Sequence, residues 1–116
     1  MSNQLIGHVE IPALDLEKAV DFYQKVFDWD FKSFGKGYYL HNTRSGMTIG
    51  LRKADSIQAG NSTIFHITVD NIETYLDRVK ASGGKVNREK TVIPVYGWYA
   101  LINDPDGNIL GLFQTH

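Results

Sequence analysis

The chain has 116 residues, of which 42% are hydrophobic and 22% charged, with a net charge of −1 and no cysteine. That is one domain's worth of an ordinary globular protein, and it excludes disulfides, thiolate metal sites and a cysteine nucleophile. Scattered lysines and arginines leave no footprint for nucleic acid or an anionic membrane. With neither a signal peptide at Met1-Ser2-Asn3-Gln4 nor an apolar run near the roughly 20 residues of a bilayer span, the expected location is cytoplasmic.

Leu5 to Ile11 reads as a strand closed by Pro12. Asp15 is placed to cap a helix over 15–28, in which Leu16, Ala19, Val20, Tyr23 and Phe27 recur at helical spacing against Glu17, Lys18, Asp21, Gln24 and Lys25. A short strand around Phe31, a glycine turn at Gly35 and Gly37 and a hairpin from Tyr38 to Leu51 follow. Lys53 to Ser62 is polar and reads as a connector. Thr63 to Val69 is then a strand, and Asp70 or Asn71 caps a helix over 70–82 whose apolar face is Ile72, Tyr75, Leu76 and Val79. Gly83-Gly84 ends that helix, Lys85 to Ile93 holds another strand, and a second hairpin runs from Tyr99 to Leu112.

The two hairpins repeat one another. Laid together without gaps, Tyr38 falls on Tyr99, Asn42 on Asn103, Gly46 on Gly107, Gly50 on Gly111 and Leu51 on Leu112. Single strands before each helix and hairpins after it indicate an α+β fold. Two tandem βαβββ modules, about 4–53 and 62–116, are expected to share one core in a single domain spanning 1–116.

Glu10-Ile11-Pro12, the run from Asp15 to Tyr23, Val69-Asp70, Gly83-Gly84 and Asp104-Pro105-Asp106-Gly107-Asn108 together carry a resemblance. Over essentially its full length the chain resembles the vicinal oxygen chelate superfamily, the glyoxalase I, bleomycin-resistance and extradiol-dioxygenase group. It is most similar there to small bacterial glyoxalase-like proteins. The resemblance implies that the paired modules form an open curved sheet around a pocket, commonly completed in a homodimer. It also implies a divalent metal held from the first and last strands of each module. The matching positions here are His8, Gly50, Ile64 and Gly111. Only the first can donate, whereas a divalent site needs three or four protein donors, so no cofactor is expected.

Strand alternation then names the other pocket candidates. Glu10 shares a face with position 8 and His66 with position 64; Thr48 and Arg52 flank Gly50; Ile109 and Phe113 flank Gly111. Glu10 and His66 are equivalent in the two modules and are expected to enter one cavity. His8, Glu10 and His66 form an alternative metal trio or proton relay, and the plainer alternative is charge pairing of Glu10 with His66 or Arg52. Trp98, with Tyr96, borders a loop at a sheet end where a pocket rim would lie, although aromatics there are more often core. His41 is expected to be exposed and His116 frayed, and turn chemistry accounts for Asp104 and Asp106.

Three functions compete, and the fold does not choose between them. The first is a metal-free binder of a small molecule, with His8, Glu10, Thr48, Arg52, His66, Trp98 and Phe113 as contacts. The second is a glyoxalase-type isomerase or lyase using a relocated metal or Glu10 as base. The third is a non-catalytic interaction module with a filled pocket. Missing ligands favour the first and third, and glycines at two ligand positions, which vacate space, favour the first.

Overall fold

The strand β1 (His8–Ala13) runs on through Pro12 rather than stopping before it. Its neighbour bonds only to alternate residues: Thr48 N–H donates to Gly7 O at 3.0 Å and Ala54 N–H to Ala13 O at 2.9 Å. The polar groups of residue 12 therefore face the other, open edge, and a proline there removes no ladder bond. The structure, a computed structural model, describes residues 6–58 and 63–116; positions 4–5 of the first expected module, with Leu5 of its first strand among them, 59–62 of the connector and position 62 of the second module lie outside the described residues.

After β1 come α1 (Leu16–Phe27), β2 (Lys32–Ser33), β3 (Tyr38–Asn42) and β4 (Thr48–Lys53). The same order follows as β5 (His66–Thr68), α2 (Ile72–Ala81), β6 (Lys85–Ile93), β7 (Gly97–Asn103) and β8 (Ile109–Thr115). Asp15 caps α1 by accepting the Lys18 N–H at 3.1 Å, and Asn71 caps α2 by accepting the Thr74 N–H at 3.0 Å. The hairpin turns match in conformation, with Gly46 at φ 95° and Gly107 at φ 90°, a region that only glycine enters without strain. Strand β5 is shorter than the expected 63–69, and the α1 core also includes Phe22 and Val26, which helical spacing from Leu16 had left out.

As the tandem modules lead one to expect, each contributes one open four-stranded sheet, ordered β1-β4-β3-β2 and β5-β8-β7-β6. In each, the first strand lies parallel to the last and at an edge. The halves are joined through their helices and a shared core. Ile11, Phe22, Tyr23, Val26 and Leu51 from the first half cluster with Ile72, Leu76, Val79, Ile102 and Leu112 from the second. Each such side chain contributes roughly 1.5–3 kcal/mol by leaving water. Phe27 of α1 stacks on Tyr75 of α2, with ring centroids 5.9 Å apart.

The Asp104–Asn108 turn does more than reverse the chain. Asp104, almost wholly buried, accepts at Oδ1 from the N–H groups of Asp106 and Asn108, 3.0 and 2.9 Å away. Its Oδ2 accepts from Tyr23 Oη and from Asn108 Nδ2, both at 2.8 Å. Asn108 Nδ2 also donates to Pro12 O at 2.8 Å, and Leu14 N–H donates to Asp106 Oδ2 at 3.1 Å. The turn thus clamps the second module onto β1 and α1 of the first.

Candidate functional site

Alternation along β1 buries Ile11 and Ala13 against the helices and leaves His8 and Glu10 on the opposite face of the sheet. Register with β4 sets His8 beside Thr48 and Glu10 beside Gly50; register between β3 and β4 sets Leu40 beside Gly50 and Tyr38 beside Arg52. The polar members of this face meet. Thr48 Oγ1 lies 2.6 Å from His8 Nδ1, and Tyr38 Oη lies 2.9 Å from His8 Nε2. Tyr38 Oη donates to Glu10 Oε2 at 3.1 Å, and Arg52 Nε donates to Glu10 Oε1 at 3.0 Å. A longer contact of 3.5 Å joins His8 Nε2 to Glu10 Oε2.

With the imidazole proton on Nε2, each bond has one donor and one acceptor. Thr48 donates to His8, His8 to Tyr38, and Tyr38 to Glu10, which Arg52 holds from the other side. Burial alone would raise the Glu10 pKa, but hydrogen bonds from Tyr38, His8 and Arg52, with the Arg52 charge, outweigh it and hold the carboxylate below its ordinary range. Burial, together with the Glu10 bond and charge, pushes the Tyr38 phenol up. Glu10 is the ionised acceptor and Tyr38 the neutral donor.

The space above the two glycines is occupied. A Cβ built on Gly50 would collide with the Tyr38 hydroxyl, and one on Gly111 with the His66 ring. The expectation that these glycines vacate room for a ligand is therefore corrected: longer side chains from neighbouring strands fill it. The family metal fits this arrangement poorly. Gly50, Ile64 and Gly111 offer no side-chain donor, and the neighbouring groups are already engaged with one another or lie on different sheets. His66 lies over Gly111 on the second sheet, and among the described residues no hydrogen bond or ion pair joins it to Glu10. The expected Glu10–His66 pair and the His8, Glu10, His66 trio are thus not assembled; among the described residues no three His, Cys, Asp or Glu side chains converge.

Other candidates fall elsewhere. Phe113 stands across from Thr68 and Tyr99, on the second sheet with His66. Trp98 packs against the core, with Lys90 Nζ 4.6 Å from its ring centroid, so it forms no part of the His8–Glu10 cluster. His41 is half-buried, stacked on Trp29 at 5.7 Å and donating from Nδ1 to Asp30 O at 3.1 Å; His116 packs edge-on against Trp98. Tyr38 is the member of this cluster that sequence reasoning missed. Its signal was the hairpin register, since pairing Leu40 with Gly50 sets Tyr38 on the same face, opposite Arg52.

At the junction of the modules lies a cleft of about 490 Å³ lined by Val9, Glu10, Pro12, Phe65, Ile109 and Leu110, among others; of the cluster it is Glu10 that forms part of the wall. The volume is in the range of small-molecule sites. No helix among the described residues is long and apolar enough to cross a membrane.

Residues 5–112 match the model of the glyoxalase/bleomycin resistance protein/dioxygenase superfamily. A probable lactoylglutathione lyase of Vibrio cholerae is 29% identical, covering 99% of this chain and 94% of that one. A probable trivalent organoarsenical cleaving enzyme of Bacillus subtilis is 30% identical, covering 93% of this chain and 78% of its own. The fold is also that of the fosfomycin resistance protein FosX from Listeria monocytogenes, with a TM-score of 0.82 at 20% identity, covering 100% of this chain and 96% of that one.

Proposed function

Because the chain belongs to the glyoxalase/bleomycin resistance protein/dioxygenase superfamily, we propose that it binds a small molecule in the family's general location but without the family's metal. The supporting observation is the largely apolar cleft at the module junction, whose wall includes Glu10, the carboxylate that Tyr38 and Arg52 bond, together with the polar side chains of Gln58, Thr63 and Asn108. Apolar walls with a few convergent polar groups are the usual makeup of a ligand site. Glu10 as a general base is the weaker reading, because its carboxylate is stabilised in the ionised form and already accepts from Tyr38 and Arg52. A purely interaction-bearing module would not need the open cleft.

The protein acts as a homodimer in this reading. Among the described residues, strands β1 and β5 each leave one edge without a neighbour in their sheets, and such edges are covered in stable proteins. Sedimentation at high micromolar concentration should give twice the chain mass; a monomer there removes the dimer. Binding is tested by amide NMR of the metal-free chain against a library of small organic molecules. Ligands should shift resonances clustered at residues 9–12 and 108–110. Scattered shifts, or selective broadening around His8 by manganese with no organic ligand binding, would refute the metal-free binder.

A further inference from the structure

The polar groups in the wall of the cleft indicate the chemistry of its ligand, and this step rests on the reading above. Asn108, part of that wall, is fixed in one orientation. Its side-chain amide has two hydrogens, and both are engaged, one with Pro12 O and one with Asp104 Oδ2, each at 2.8 Å. Its backbone N–H goes to Asp104 Oδ1 at 2.9 Å. What Asn108 has left to offer is the acceptor Oδ1, which has no partner among the described residues. Pro12 beside it has no N–H. Neither residue can donate to a ligand.

Glu10 adds a charge of one sign. Among the described residues it is the one charged side chain in the wall, with no lysine or arginine beside it there, and more than a third of it is exposed. Arg52 gives it one hydrogen bond at Oε1 and Tyr38 one at Oε2, whereas a carboxylate accepts about four, so acceptor capacity remains. Arg52 balances this charge from outside the cleft. Two more carboxylates stand behind the wall, Asp104 bonded to Asn108 and Asp106 bonded to Leu14 N–H. Glu10 and Pro12 are two residues apart on β1, roughly 7 Å, and Asn108 bonds Pro12, so the charged and the neutral acceptor fall within the span of one small molecule. An ammonium group, with three donors and no acceptor, complements such a wall, whereas an acid would set like charge and acceptor against their own kind. We propose that the cleft receives a small primary amine, its ammonium head bonded to the Glu10 carboxylate and to Asn108 Oδ1 and its apolar body lying against Phe65, Ile109 and Leu110. Asp104 is a positioning residue here, since it turns the Asn108 amide so that Oδ1 stays available.

Benzylammonium, benzyl alcohol and benzoate separate this proposal from the one it rests on, because they share a ring and differ in head group. Added to the full chain, benzylammonium should shift amide signals at residues 9–12 and 108–110, the Asn108 side-chain amide among them. Benzyl alcohol should bind the same residues at least roughly tenfold more weakly, since its hydrogen bond lacks the charge, and benzoate more weakly still. Glu10→Gln should weaken benzylammonium by a similar factor and leave benzyl alcohol unchanged, which also shows that the variant is folded. Glu10→Asp, which keeps the charge at shorter reach, should fall between the parent and Glu10→Gln. Equal binding of the amine and the alcohol, tighter binding of benzoate, or amine binding indifferent to Glu10→Gln overturns the amine while leaving a small-molecule cleft. Failure of all three probes to shift these amides at tens of millimolar overturns the amine and counts against the cleft itself.

Discussion

Tyr23→Phe isolates the clamp between the modules. Tyr23 is fully buried, and its hydroxyl supplies one of the four hydrogen bonds that satisfy the buried Asp104 carboxylate. The ring is held separately, edge-on to Phe22 at 5.0 Å and stacked on Trp29 at 5.6 Å, so phenylalanine keeps the packing and deletes only the donor. A hydrogen bond to a charged buried group contributes about 1.5–3 kcal/mol, and at about 4 °C per kcal/mol for this size the midpoint should fall by about 6–12 °C. The pH dependence carries a sign. Burial holds the Asp104 pKa above its ordinary value even against the bonds from Asn108, Tyr23 and Asp106 that lower it. Stability linked to Asp104 is therefore fully present below the unfolded pKa and lost as pH rises through the raised folded one. Deleting a donor to the carboxylate raises the folded value further, so the cost should be largest near neutrality and narrow on acidification. Urea unfolding at fixed protein concentration, followed by tryptophan fluorescence with Trp29 beside the altered ring, reads both quantities. A neutral-pH loss below about 0.5 kcal/mol, or one that does not narrow in acid, would refute the assigned role of the hydroxyl.

Val95→Gly should stabilise the protein by about 1 kcal/mol, because Val95 sits at φ 78° in a turn closed by the Tyr96 N–H to Ile93 O bond; an unchanged or lower urea midpoint would count against strain there. Gly84→Ala should cost roughly 2 kcal/mol, since its Cβ would lie 2.7 Å from Asn103 O and 2.8 Å from Phe22 Cε1; thermal melts that match the parent would show that the backbone yields. Glu10 contributes stability above its unfolded pKa that is lost as pH falls through its lowered folded value. Its side chain is more than one-third exposed, so Glu10→Gln should flatten the acid limb of the stability curve by well under about 1 kcal/mol. An acid limb identical in the two proteins would remove that contribution.

Much of the architecture was legible along the chain because its causes are local. Asp15 and Asn71 announce helix starts through their own side chains, and Gly46 and Gly107 mark equivalent turns because a positive φ is needed at both. The repeat of the hairpins was enough to infer two modules, alternation from His8 sets Glu10 on its face and alternation about Gly50 sets Thr48 and Arg52 together, and the β1–β4 register brings the two sets side by side. Sequence alone determined which residues share a strand face and which cap or turn. Tertiary structure alone decided which faces meet. Glu10 and His66 are equivalent by repeat, yet they lie on separate sheets, because pairing within each module says nothing about how the modules join. Glycines at 50 and 111 read as empty space, yet the reach of Tyr38 and His66 from adjacent strands fills it. Asp104 read as a turn residue, yet its burial against Tyr23 depends on a helix 81 positions away in the chain. Short-range pattern encodes conformation, whereas the length and direction of a side chain across a packed interface become defined only once the core has brought both partners together.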